Sequence, residues 1–99
     1  MSQAATTVTF GERPIGNGEK VTTSGTSAQS AVMPANTSTV RVVGSAACYI
    51  IFGENPTAVA TTSIYMPAGL VEYFAIKPGE KIAVIQDSAA GTLYVQPMG

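Results

Sequence analysis

Six carboxylates, five cations, one thiol and four phenols are the side chains here that could do chemistry, and the chain has no histidine. The missing imidazole removes the usual general base, the Ser-His-Asp and Cys-His nucleophile arrangements and the commonest metal ligand. A cupin-type metal centre fails on the same count, because it needs a histidine cluster inside its barrel. Of the acids Glu12, Glu19, Glu54, Glu72, Glu80 and Asp87, all but Glu72 fall singly in or beside expected turns or termini. Solvated carboxylates are the ordinary reading there, and their spacing suggests no glycosidase pair. The run GERPIGNGEK has two glycines at phosphate-loop spacing, but Asn17-Gly18 stands where Lys-Ser/Thr is needed and no helix follows. Cys48 lies in the apolar run AACYIIF with no basic neighbour to lower its pKa, so it reads as a small buried hydrophobe. Tyr49, Tyr65, Tyr73 and Tyr94 all fall inside strand patterns, which favours core and interface packing over a sugar-stacking platform. The expectation is a protein without catalytic residues, metal or cofactor.

The elements that carry these residues read as strands. No stretch of about twelve residues keeps a helical period. Glu19–Ser24, Ala28–Met33, Ser38–Val43, Ala46–Phe52, Ala58–Thr61, Ser63–Met66, Leu70–Ile76, Lys81–Gln86 and Thr92–Gln96 are β-rich runs separated by Gly, Pro, Asn and Asp. Lys77-Pro78-Gly79-Glu80 has proline and glycine at the two central positions of a type II turn, so Leu70–Gln86 reads as a hairpin. Ser38–Phe52, turning at Gly44-Ser45, reads as a second. The spacing predicts an all-β fold of about eight or nine short strands. An antiparallel β-sandwich of jelly-roll or Greek-key type leads, because the connections are too short for crossover helices. Residues 1–18 carry Gly11, Pro14, Gly16 and Gly18 with one strand signal at Thr7–Phe10, and read as an extended N-terminal arm. Val8 and Phe10 alternate with threonines and suit an added strand on a neighbouring copy. Residues 19–99 form the sandwich domain.

Met33-Pro34-Ala35 returns as Met66-Pro67-Ala68, 33 positions on, each preceded by a short strand and followed by strand, turn and strand. The echo predicts two similar half-units, each a short strand, a proline turn and a hairpin, packing face to face. It also sets Arg41 and Glu72 as lone charges on apolar strands, candidates for a pair within or between subunits.

Net charge is −1 with the basic residues scattered, so the footprint of a nucleic-acid binder is absent. No apolar window reaches the roughly eighteen residues of a membrane span. The opening MSQAATTVTFGERP has neither a basic start nor an apolar signal core, which makes the Asn36-Thr37-Ser38 sequon incidental. Charged residues make up 11% of the chain, against roughly 25% in an average soluble domain. Strands such as Cys48–Phe52 and Leu70–Ile76 are apolar on both faces, with Tyr73 on the face opposite Phe74. Both features point to surface covered by other copies of the chain or by a partner.

The order of elements resembles small all-β virion proteins of tailed bacteriophages. The residues that carry this are Arg41-Val42-Val43-Gly44, then Phe52 to Ala58 (FGENPTA), Met66-Pro67-Ala68-Gly69, Glu72-Tyr73-Phe74, Pro78-Gly79 and Ala83-Val84-Ile85, within roughly residues 30–96. The resemblance implies a structural protein of the phage particle, made in the host cytoplasm. Within that group it implies a capsid decoration or cement protein, commonly a homotrimer, that bridges subunits of the major capsid protein. Neck, tail or head-fibre components, and receptor- or carbohydrate-binding sandwich modules, stay open beside it. Val8, Phe10, Arg41, Glu72 and Tyr73 are the candidate interface residues; the resemblance transfers no site of its own.

Overall fold

A computed structural model describes residues 12–99. Eight strands follow in order: β1 (Glu19–Thr22), β2 (Ala28–Gln29), β3 (Thr39–Gly44), β4 (Cys48–Gly53), β5 (Ile64–Met66), β6 (Glu72–Ala75), β7 (Lys81–Gln86) and β8 (Thr92–Met98). They form two four-stranded antiparallel sheets, β1-β8-β3-β6 and β2-β7-β4-β5. Strand β1 pairs with β8, β2 with β7, β3 with β6 and β4 with β5. The chain is thus one antiparallel ribbon doubled back at the β4–β5 connection. Rolling the ribbon brings β8 against β3 and β7 against β4 and closes the two sheets. That is the eight-stranded jelly roll, the first of the two expected sandwich types.

Period-two alternation explains the core. In β3, Val40, Val42 and Gly44 are buried while Thr39, Arg41 and Val43 face outward. Leu93, Val95 and Pro97 do the same in β8. Cys48 and Ile50 of β4, with Ile82 and Val84 of β7, meet them from the other sheet, and Val21, Met33, Met66 and Ile76 complete the cluster. Phe52 and Phe74, one from each sheet, cross at 5.2 Å between ring centroids.

The Lys77–Glu80 turn forms as its residues require. Glu80 N–H donates to Lys77 O at 3.1 Å, and Gly79 takes a φ of 88°. Yet the flanking strands do not pair with each other: β6 belongs to one sheet and β7 to the other. Leu70–Gln86 is a crossing between layers, not a hairpin. The reason is twist. Two-residue hairpins favour the mirror-image turns, whereas a type II turn splays its strands. Ser38–Phe52 fails as a hairpin in the same way, with β3 and β4 in opposite sheets. Gly79→Ala would force a side chain into the left-handed region with open space around it. The expected cost is about 1–2 kcal/mol, read as a lower denaturant midpoint with an unchanged slope.

One expected strand is cut to two residues and another is lost. Ala28–Met33 reduces to β2 because the Ser30 hydroxyl, rather than a carbonyl, accepts the Ile82 N–H at 2.9 Å. Ala58–Thr61 forms no strand and runs into a turn closed by Ser63 N–H to Val59 O at 3.0 Å, with Thr61 at a φ of 85°.

The internal echo is a pseudo-twofold. Each Met-Pro-Ala turn closes by the same bond, Thr37 N–H to Pro34 O at 3.3 Å and Leu70 N–H to Pro67 O at 3.4 Å. Asn36 and Gly69 take positive φ at matching positions. Each turn carries the chain from one sheet to the other, β2 to β3 and β5 to β6. The register obeys the 33-residue offset: Val40↔Phe74 maps onto Tyr73↔Arg41, and Ile50↔Val84 onto Ala83↔Ile51. The half-units interleave strand by strand instead of packing face to face. Glu72 corresponds under this offset to Thr39, not to Arg41.

Arg13 exchanges both backbone bonds with Gly99, and Ile15 N–H donates to Pro97 O at 3.0 Å. Backbone pairing therefore begins before residue 19. Val8 and Phe10 lie outside the described residues.

Candidate interaction surfaces

A jelly roll buries the inner face of each sheet, so any site on the sheets is built from residues of the opposite parity. All four tyrosines have that parity. Tyr49 and Tyr65 face out from the β2-β7-β4-β5 sheet, Tyr73 and Tyr94 from the β1-β8-β3-β6 sheet, and the buried cluster contains none.

On the β2-β7-β4-β5 sheet, register sets Tyr65, Tyr49 and Ile85 side by side in one row. Gln29, Ala83 and Ile51 form the next. The Tyr49 and Tyr65 rings lie 5.4 Å apart at 57°, a tilted pair. Tyr65 is 50% exposed and Ile51 36%. The rim is polar: Lys81 Nζ donates to Gln29 Oε1 at 3.3 Å, and Gln29 Nε2 donates to Asn55 Oδ1 at 2.9 Å and Pro56 O at 2.8 Å. Burial, and then the Asp87 carboxylate beside it, push the Tyr49 phenol above its ordinary pKa. That phenol stays neutral at physiological pH. The result is an apolar, aromatic strip with charge only at its edges.

The outer face of the β1-β8-β3-β6 sheet differs. Tyr73, Arg41 and Gln96 make one row, and Val43, Tyr94 and Lys20 the next. A cleft of about 320 Å³ opens between β1, β3 and β8, lined by Lys20, Arg41, Tyr94 and Gln96 over the backbone of Gly18. The Lys20 ammonium stands 6.0 Å from the Tyr94 ring centroid.

Of the residues singled out from the sequence, Arg41 and Tyr73 are direct cross-strand neighbours on this outer face. Glu72 is opposite Val42, on the inward side at the sheet edge. Arg41 and Glu72 therefore leave opposite faces of the sheet and form no pair within one chain. Tyr49, Ile51, Tyr65 and Ile85 were legible only as strands apolar on both faces. The meeting of Lys20, Arg41 and Tyr94 had no local signal, since they come from three distant strands.

Cys48 is fully buried, and burial pushes its thiol above the ordinary pKa. Among the described residues no three His, Cys, Asp or Glu side chains gather into a metal-binding group. Among them, too, no helix is long and apolar enough to cross a membrane. Comparison with protein-family models, with curated proteins and with solved structures finds no match for this chain.

Proposed function

We propose that this chain is a non-enzymatic structural protein of a tailed-phage particle, a decoration or cement protein that joins copies of itself and grips the major capsid protein. The observation that carries the reading is the outer strip Tyr65–Tyr49–Ile85 with Ile51. The inner face of the same sheet already fills the core, so this second apolar face is surplus to folding. An exposed aromatic strip with a polar rim is the composition of an interface centre. The low charge of the chain agrees, because fewer ions must be stripped of water on contact.

The resemblance to phage virion proteins supplies the kind of partner and the three-fold association. The jelly roll adds only compatibility, since one fold hosts many functions. Neck, tail and head-fibre components carry the same kind of contact surface; the particle region that retains the chain separates them.

Two measurements test the proposal. Native mass spectrometry of the purified chain is expected to give a trimer. Co-sedimentation with DNA-free capsids is expected to deplete the chain from solution at saturating, stoichiometric amounts. A chain that stays monomeric at high concentration and remains in the supernatant would end this reading.

A further inference from the structure

The cleft on the β1-β8-β3-β6 face is lined by charged side chains, where the strip on the opposite sheet has charge only at its edges. It gathers two of the chain's five basic residues, Lys20 and Arg41, in a molecule whose net charge is −1. The carboxylates are engaged or directed elsewhere. Glu19 also lines the cleft, but its carboxylate accepts the Ala31 N–H through both oxygens at 3.0 and 3.1 Å. Glu12 accepts the Ser38 hydroxyl at 2.6 Å, and Glu80 accepts the Lys77 N–H at 3.0 Å. Glu72 is on the inward side of β6, Asp87 is beside Tyr49 on the other sheet, and Glu54 follows β4 of that sheet. Residues 1–11 contain no Asp or Glu.

The remaining lining is amphipathic. Tyr94 is 41% exposed, and Tyr73, 57% exposed, flanks Arg41 from β6. Gln96 Nε2 is taken by Pro97 O at 2.9 Å and Ile15 O at 3.4 Å, which leaves Oε1 as an acceptor. That oxygen lies over Gly18, where an added Cβ would come within 2.8 Å of it, so the glycine keeps the floor open.

We infer that this cleft binds an acidic saccharide. A uronic-acid carboxylate takes charge-assisted bonds from Arg41 and Lys20, the pyranose ring packs against Tyr94, and a sugar hydroxyl donates to Gln96 Oε1. An exposed phenol ring beside cations and an amide acceptor matches a ring that is apolar on one face and hydroxylated at its edge. A nucleic acid would call for a longer basic stripe than two cations. An acidic peptide would satisfy the cations but leave Tyr94 and the amide unused. The assignment concerns the sheet opposite the aromatic strip, so it stands or falls apart from the shell reading.

The test is an amide-resolved NMR titration of the full chain with trigalacturonate, its methyl ester and triglutamate. Trigalacturonate is expected to shift the signals of Lys20, Arg41, Tyr94 and Gln96, and to bind about tenfold or more tightly than either other probe. Arg41→Gln and Tyr94→Ala are each expected to weaken it by about tenfold or more with thermal unfolding retained. If either variant fails to fold, Lys20→Gln, on an exposed side chain of an edge strand, replaces it. No shifts with trigalacturonate, equal binding of the neutral ester, or tighter binding of triglutamate would each overturn the assignment.

Discussion

Ile50→Ala is expected to cost about 2–5 kcal/mol of folding stability, and Ile51→Ala under about 1 kcal/mol. The two isoleucines are consecutive in β4 and differ only in parity. Ile50 points inward, is fully buried, and lies between Val84 of β7 and Ile64 of β5. Truncating it removes methyl groups from the cluster containing Val40, Val42, Leu93 and Val95, and leaves a hole that a closely packed sandwich fills only in part. Ile51 points outward beside Ala83 and keeps about a third of its surface exposed. For a domain of this size total stability is about 5–15 kcal/mol, so the first change removes a large share of it. Thermal unfolding should fall by roughly 10 °C or more for Ile50→Ala and by a few degrees at most for Ile51→Ala. Equal losses at the two positions would mean that the outer strip is part of the core.

That contrast was readable in the residues only as an ambiguity. A run such as Cys-Tyr-Ile-Ile-Phe announces a strand with grease on both sides, yet does not say which side is the core. Most strands and turns were legible because their signals are local: Gly79 where a positive φ is needed, valine alternation in β3, proline at each Met-Pro-Ala step. The 33-residue echo proved to be a symmetry of the register itself. Pairing was not legible. Joining Glu19–Thr22 to Thr92–Val95 depends on closure of the whole ribbon, and nothing in either segment encodes it. The two misread hairpins show the same limit, because a good turn says that the chain reverses but not which sheet it reverses into. An Arg41–Glu72 pair within one chain is excluded by a single residue of parity, while Arg41 and Tyr73, 32 positions apart, proved to be direct neighbours.

The outward member of the isoleucine pair carries the second large effect. Ile51→Lys combined with Tyr65→Ala is expected to leave folding nearly intact and to weaken association with capsids by about a hundredfold or more. The magnitude follows from what an interface centre loses. An aromatic anchor in a packed interface contributes about 2 kcal/mol or more on truncation, and a lysine placed beside it must be desolvated against an apolar partner without a counter-ion. Each factor of ten is about 1.4 kcal/mol, so the pair exceeds a hundredfold if the strip is central. Tyr73→Ala, on the other sheet, is the control and should leave capsid association unchanged. The readouts are capsid co-sedimentation for binding and thermal unfolding for integrity. If the double variant binds as well as the parent while remaining folded, the strip is ordinary exposed surface and the shell contact lies elsewhere. If Tyr73→Ala removes binding instead, the gripping face is the β1-β8-β3-β6 sheet.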